Sequence, residues 1–225
     1  MIPEFPLYLF DLDGTLVDSA ADICGAIRDV LKTTHRTDVD DAFLRRYIGY
    51  HLKDLFDDLF PEKTEAEVDQ LIADYRCVYP QRNHSSTRRY PGVLDMLSRL
   101  GGKKSTATTK GTPTTRIVLE KFEMLPYFDH VQGTDGFPAK PQPDVIYRSL
   151  ELFHASPEDC LFVGDSAADM EAGRRAGVKT CGVRYGYGNI EHMSRWEPDY
   201  WIDDPRQLLN GRASALPESA AQPRI

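Results

Sequence analysis

A short apolar run that stops at two acids constrains this chain more than any other feature. Leu7-Tyr8-Leu9-Phe10 has the composition of a strand buried on both faces of a parallel sheet, and it runs directly into Asp11-Leu12-Asp13-Gly14-Thr15. A core strand does not tolerate ionised carboxylates at its end unless a cation or hydrogen bonds compensate them. Asp11 and Asp13 stand two apart, so on extended backbone they share a face. A turn through Leu12-Asp13-Gly14 then aims both into one crevice, at the carboxyl edge where open α/β sheets hold ligands. With a hard divalent cation between them, one carboxylate can attack phosphorus while the other handles a proton. An Asp-Gly turn after a strand is common by itself, so the reading depends on the rest of the chain.

After Ser19 the periodicity becomes helical. Ile23, Ile27, Val30 and Leu31 recur at helix spacing, with Asp18 or Ser19 as the cap of the start. A second helical stretch carries Phe43, Leu44, Tyr47 and Ile48, is interrupted at Gly49, and resumes with Leu52, Leu55, Phe56, Leu59 and Phe60. A third places Val68, Leu71, Ile72, Tyr75 and Val78 on one stripe, with Glu62, Glu65 and Glu67 near its start, where the helix dipole favours acids. Residues 20–85 thus read as an all-helical block inserted after the first strand, and residues 83–87 as the return linker.

From Tyr90 the α/β alternation resumes. Helices are expected from Pro91 to Leu100, from Thr112 to Phe122, over residues 144–153 and over residues 167–176. Strands are expected over residues 103–109, 128–132, 160–163, 178–183 and 200–202, although Lys103-Lys104-Ser105-Thr106 is polar for a central strand. The fold class is therefore α/β, a doubly wound and mostly parallel sheet formed by residues 1–19 and 86–210, with residues 20–85 as a helical cap. Residues 211–225, rich in Ala, Ser and Pro, are expected to be a disordered tail.

The 225 residues suffice for one substantial core with a small insert. A formal net charge of −8 argues against nucleic acid or an anionic membrane surface as partner. No apolar run approaches the roughly 18 residues of a membrane span. Residues 1–6 lack the basic start and apolar stretch of a signal peptide, and the four cysteines are scattered without metal spacing, so a cytoplasmic protein with reduced thiols is expected.

Three further elements follow at expected strand ends: Ala107-Thr108-Thr109-Lys110, Lys140-Pro141-Gln142-Pro143-Asp144 and Gly164-Asp165-Ser166-Ala167-Ala168-Asp169. Together with Asp11-Leu12-Asp13-Gly14-Thr15, and in this order, they resemble the four signatures of the haloacid dehalogenase superfamily. The Lys140-to-Asp144 string is similar to the phosphoglycolate phosphatase-like subgroup. The resemblance spans roughly residues 7–210, and it implies a cap domain for the helical insert.

The resemblance also implies residue roles. Asp11 is the nucleophile that forms an aspartyl-phosphate, and Asp13 is the general acid and base. Thr108, or Thr109 where the family usually has Asn, holds a phosphoryl oxygen. Gly14 leaves room for backbone amides to approach the phosphate. Lys140, presented by a proline-flanked loop, neutralises nucleophile and phosphate. Mg²⁺ is the implied cofactor, held by the carboxylates of Asp11 and Asp165 and the backbone carbonyl of Asp13, with Asp169 acting from outside through a bound water.

The implied activity is hydrolysis of a small phosphorylated metabolite by a monomer or homodimer, with phosphoglycolate the leading substrate. Nucleotide and sugar phosphates, pyrophosphate and a β-phosphoglucomutase-like transfer are the alternatives; a non-enzymatic phosphate-binding role fits poorly with every catalytic position present. Asp13 argues against a dehalogenase, which lacks that acid. In the cap, Gly49 breaks the apolar stripe, and His51 and Lys53 beside it are candidates to read the leaving group. Lys53 or Arg46 would be the cation for a substrate carboxylate.

Overall fold

In the computed structural model, which describes residues 1–209, the strand that ends at Asp11 lies in the middle of the fold. Strand β1 (Leu7–Phe10) pairs in parallel with β4 (Lys103–Thr106) on one side and β5 (Cys160–Gly164) on the other. Strands β6 (Lys179–Val183) and β7 (Tyr200–Ile202) continue the parallel sheet, giving the order β4-β1-β5-β6-β7. All four side chains of β1 are buried, each worth about 2 kcal/mol against exposure.

Its two faces feed two apolar clusters. Tyr8 and Phe10 pack with residues of α5 (Val93–Arg99) and α6 (Thr112–Lys121). Leu7 and Leu9 pack with residues of α7 (Asp144–Phe153) and α8 (Ala167–Ala176). Helices on both faces are what a run buried on both sides requires.

The polar strand finds its explanation in this order. β4 is the edge of the sheet, where side-chain partners replace a neighbouring strand. Lys103 donates to Asp129 at 2.8 Å, the Lys104 amide donates to the same carboxylate at 2.9 Å, and Thr106 exchanges hydrogen bonds with the Gln132 backbone. The strand stops at Thr106 rather than Thr109, and the expected strand over residues 128–132 is reduced to a single parallel bridge from Ser105 to His130.

Between β2 (Val17–Asp18) and β3 (Arg88–Arg89), an antiparallel pair, lie the helices α1 (Ala20–Leu31), α2 (Asp41–Arg45), α3 (Leu52–Leu59) and α4 (Glu65–Val78). They bury a separate apolar cluster that includes Ile27, Leu44, Phe56 and Ile72. The two chain crossings are therefore stitched to each other. At the second crossing the buried Asp22 of α1 accepts from the Ser86 amide and the Thr87 hydroxyl at 3.0 and 2.7 Å.

The start of α1 departs from expectation. Ser19 takes the N-cap position without a side-chain capping bond; the hydroxyl of Tyr187, from the loop after β6, accepts from the amides of Ser19 and Ala20 at 2.6 and 3.0 Å and donates to Asp18. A short helix α9 (Ile190–Ser194) follows that loop. Among the described residues no helix is long and apolar enough to cross a membrane, and the four cysteines are unpaired. The tail expected over residues 211–225 lies outside the described residues.

Candidate active site

Sheet order brings the sequence-distant acids together. β1 and β5 are neighbours in register, Phe10 beside Val163, and the Asp11 amide continues the ladder onto the Val163 carbonyl at 2.9 Å. Asp11 and Asp165 thus emerge side by side at the carboxyl edge. Asp169 joins them from the first turn of α8, where it closes a capping box: the Ser166 amide and hydroxyl donate to its Oδ2 at 2.9 and 2.7 Å, and Ser166 Oγ accepts from the Asp169 amide. The three carboxylates, all buried, each bring an oxygen within 4.8 Å of the others.

Lys140 offsets part of this charge. Its ammonium is wholly buried and lies 2.8 Å from Asp11 Oδ1 and 2.5 Å from Asp169 Oδ1. Burial alone would lower its pKa, but Asp11 and Asp169 reverse that and hold it above the ordinary lysine value. One ammonium does not satisfy three carboxylates. Burial pushes Asp11 up to about 6, with Lys140 opposing and Asp169 adding to the rise. Burial, then Asp169 and Asp11, push Asp165 well above the usual carboxylate range.

Oδ2 of Asp11 is buried with no hydrogen-bond partner among the described residues. An orphaned carboxylate oxygen in an over-acidic pocket of oxygen donors fits a hard divalent cation. Both oxygens of Asp169 are already engaged, by Ser166 and Lys140. Asp165 is held in place by the Thr15 hydroxyl at 3.2 Å and the Tyr187 amide at 2.8 Å. Gly14 has φ +90, and a Cβ there would lie 2.1 Å from Asp165 Oδ2, so the turn after Asp13 admits only glycine.

Asp13 turns toward the cap side of the crevice. Ser19 donates to its Oδ1 at 2.6 Å and the Lys110 ammonium lies 3.1 Å from its Oδ2. Thr108 is buried, and its hydroxyl accepts from the Lys110 amide at 3.3 Å. Thr109 instead donates to the carbonyl of Gly49, across to the cap, at 3.3 Å. Gly49 itself has φ +94, the turn that separates the two helical stretches.

A cavity of about 510 Å³ opens between Asp13 and the cap, lined among others by Gly49, His51, Tyr75, Tyr79, Thr109 and Lys110. Of the cap candidates, Gly49 and His51 line it, although His51 Nδ1 accepts from the Lys53 amide as the cap of α3. Lys53 and Arg46 do not. Lys53 pairs with Asp57 and Glu65, and the exposed Arg46 lies 4.7 Å over the Phe43 ring. Lys110, Ser19 and Tyr187 were missed by sequence reading. Lys110 had a signal, standing directly after the two threonines; Tyr187 had none, because its partners are 168 and 167 positions away.

A family model for haloacid dehalogenase-like hydrolases matches residues 8–183. This chain is a haloacid dehalogenase-like hydrolase. Two relatives show how the family's members divide. A phosphoglycolate phosphatase of Aquifex aeolicus is 32% identical over 205 residues, covering 89% of this chain and 93% of that one. A pyrophosphatase, PpaX, of Anoxybacillus flavithermus is 32% identical over 206 residues, covering 90% and 94%. Among solved structures, a haloacid dehalogenase-like hydrolase from Streptococcus pneumoniae superposes with a TM-score of 0.83 at 26% identity, over 92% of this chain and 98% of that one. With that solved structure the chain shares its overall α/β fold.

Proposed function

We propose that this hydrolase is a magnesium-dependent phosphatase that acts on a small phosphorylated metabolite through an aspartyl-phosphate on Asp11. The observation that carries the reading is the asymmetry of Asp11: one carboxylate oxygen is held by Lys140 at 2.8 Å, and the other is buried, without a partner. A carboxylate with one oxygen held by an ammonium and the other left for a cation is fixed in orientation for attack.

In this reading Asp11 attacks phosphorus while Asp13 gives a proton to the leaving oxygen. Asp13 then takes a proton from the water that cleaves the acyl phosphate. Lys140 and the Thr108 hydroxyl face the non-bridging oxygens, with Gly14 leaving the loop amides accessible; Thr109 is occupied with Gly49 and is the weaker candidate. Mg²⁺ would be held by the carboxylates of Asp11 and Asp165 and the backbone carbonyl of Asp13. Bound there, it supplies positive charge against the transferring group. Asp169, with both oxygens engaged, acts by fixing Lys140.

Phosphoglycolate is the leading substrate, supported by the Aquifex relative and by the Lys140-to-Asp144 string. Pyrophosphate is the second reading, favoured by the equally similar PpaX relative. A panel of phosphoglycolate, pyrophosphate, a nucleoside monophosphate and a hexose phosphate, assayed at fixed magnesium, tests the reading, with beryllium fluoride as a trap of the phosphorylated state. Turnover that needs magnesium, with the trap bound at Asp11, is expected. Turnover in excess chelator, or activity retained by Asp11→Asn, overturns it.

A further inference from the structure

The cavity above Asp13 has apolar and aromatic walls on its cap side, including Ile23, Ile27, Leu55 and Tyr75. One ammonium projects into this lining beside the acid. Lys110 is 10% exposed, lies 3.1 Å from Asp13 Oδ2 and 3.2 Å from the Tyr79 hydroxyl, and sits 4.4 Å over the Tyr79 ring. Its partners therefore come from both sides, an acid of the core and a tyrosine of the cap. An ammonium has three donors; Asp13 and Tyr79 take two. The other cations are placed differently: Lys140 is sealed between Asp11 and Asp169, Arg76 is exposed at the rim, and Lys53 and Arg46 do not line the cavity.

We propose that Lys110 is a specificity-determining residue that selects substrates whose leaving group carries its own anionic group, a carboxylate or a phosphate, close to the leaving oxygen. The proposal rests on the phosphatase reading above and adds what the leaving side must look like. The leaving oxygen has to come within roughly 3 Å of Asp13 to receive a proton. Lys110 is a hydrogen-bond length beyond that carboxylate, so an anionic oxygen two bonds (phosphate) or three bonds (glycolate) further along the leaving group, roughly 3 Å away, falls in its range. There the third donor makes a charge-assisted hydrogen bond, the stronger kind. A neutral leaving group of equal size leaves that donor unmet. Glycolate and phosphate, the leaving groups of phosphoglycolate and pyrophosphate, both have this chemistry.

The test compares phosphoglycolate and pyrophosphate with ethyl phosphate, which has the two-carbon skeleton without the carboxylate. For the wild-type protein, kcat/KM for at least one anionic substrate should exceed that for ethyl phosphate by roughly 10- to 100-fold, the worth of one charge-assisted hydrogen bond. Whichever of phosphoglycolate and pyrophosphate is preferred tells carboxylate from phosphate.

Lys110→Met should bring the preference within about threefold, chiefly by loss on the anionic substrate, while Lys110→Arg keeps most of it. An equal loss on all three substrates in Lys110→Met means that Lys110 only positions Asp13, and overturns the proposal. So does a wild-type preference below threefold, a measurement that stands even if Lys110→Met fails to fold. Equal turnover of all three leaves the phosphatase reading intact and removes this one; no turnover of any phosphate ester removes both.

Discussion

The crevice at the end of β1 and the cavity wall contributed by the cap are built on opposite principles. In the crevice, charge is buried and, among the described residues, every carboxylate oxygen but Asp11 Oδ2 is tied down: Lys140 between Asp11 and Asp169, Asp169 in its capping box, Asp165 between Thr15 and Tyr187. Apart from Asp22 of α1, which is buried and hydrogen-bonded to Ser86 and Thr87, the cap buries hydrocarbon and has charged side chains that pair at the surface, as Lys53 does with Asp57 and Glu65. Buried ions are costly to disturb and exposed pairs are not. Substitutions should therefore act steeply in the crevice and weakly on the cap rim, with the sharpest effects where the two regions meet.

The largest effect is expected at the orphaned oxygen. Asp11→Asn should lower turnover by about 10⁴-fold or more, since an amide forms no acyl phosphate. The same variant should melt no lower than wild type, because it removes a buried carboxylate that burial already disfavours. Steady-state kinetics and a thermal melt on one preparation check both; a drop in Tm of several degrees would mean that Asp11 is a structural group.

Lys140→Ala comes next. Two buried carboxylates lose their cation, so a stability loss of about 3–5 kcal/mol is expected, with turnover reduced at least 100-fold. Urea denaturation gives the first number. A loss below 1 kcal/mol would place the ion triad in the same class as the pairs on the cap rim.

The third test uses pH and metal. Asp11 titrates near 6 in the folded protein against an ordinary 3.8, so the folded state binds that proton more tightly than the unfolded chain. Its contribution to stability is then fully present below about pH 4, falls as pH rises, and is lost above about pH 6. Denaturation midpoints in chelator should accordingly fall between about pH 4 and pH 6, and magnesium should flatten that fall. Midpoints that ignore magnesium would argue against a cation in the acidic cluster.

Smaller effects are expected at the junction and the rim. Tyr187→Phe removes the hydroxyl that serves the first amides of α1, at a cost of about 1–2 kcal/mol. Lys53→Ala and Arg46→Ala should change stability by at most about 0.5 kcal/mol, and kcat/KM by less than threefold. His51→Ala, which lines the cavity, should exceed both. If the rim variants match the crevice variants in kcat/KM, the contrast between the regions fails.

Much of this was legible one residue at a time. The β1 run announces a doubly buried strand by composition, Gly14 announces its turn, and the acids stand just beyond β1 and β5, whereas Lys140 lies in the loop before α7. Helices α7 and α8 follow from apolar spacing, and the helical insert from a change of period at Ser19. These are local signals, set by backbone sterics and by the side-chain alternation of strand and helix.

The sequence by itself thus determined the class of fold, the family, and which carboxylates and which lysine meet. Only the tertiary structure decided which groups each of them touches. It made polar β4 an edge strand, aimed the hydroxyl of the N-cap Ser19 at Asp13 instead of the helix amides, and set Tyr187 at the head of α1. It also engaged Lys53 and Arg46 on the cap surface and set the Lys110 ammonium beside Asp13. The physical reason is range. Propensity and periodicity act over a few residues and decide where strands and helices form, whereas hydrogen bonds and ion pairs are short and directional, and their partners are chosen only once the sheet order and the seating of the cap bring distant loops within about 3 Å of one another.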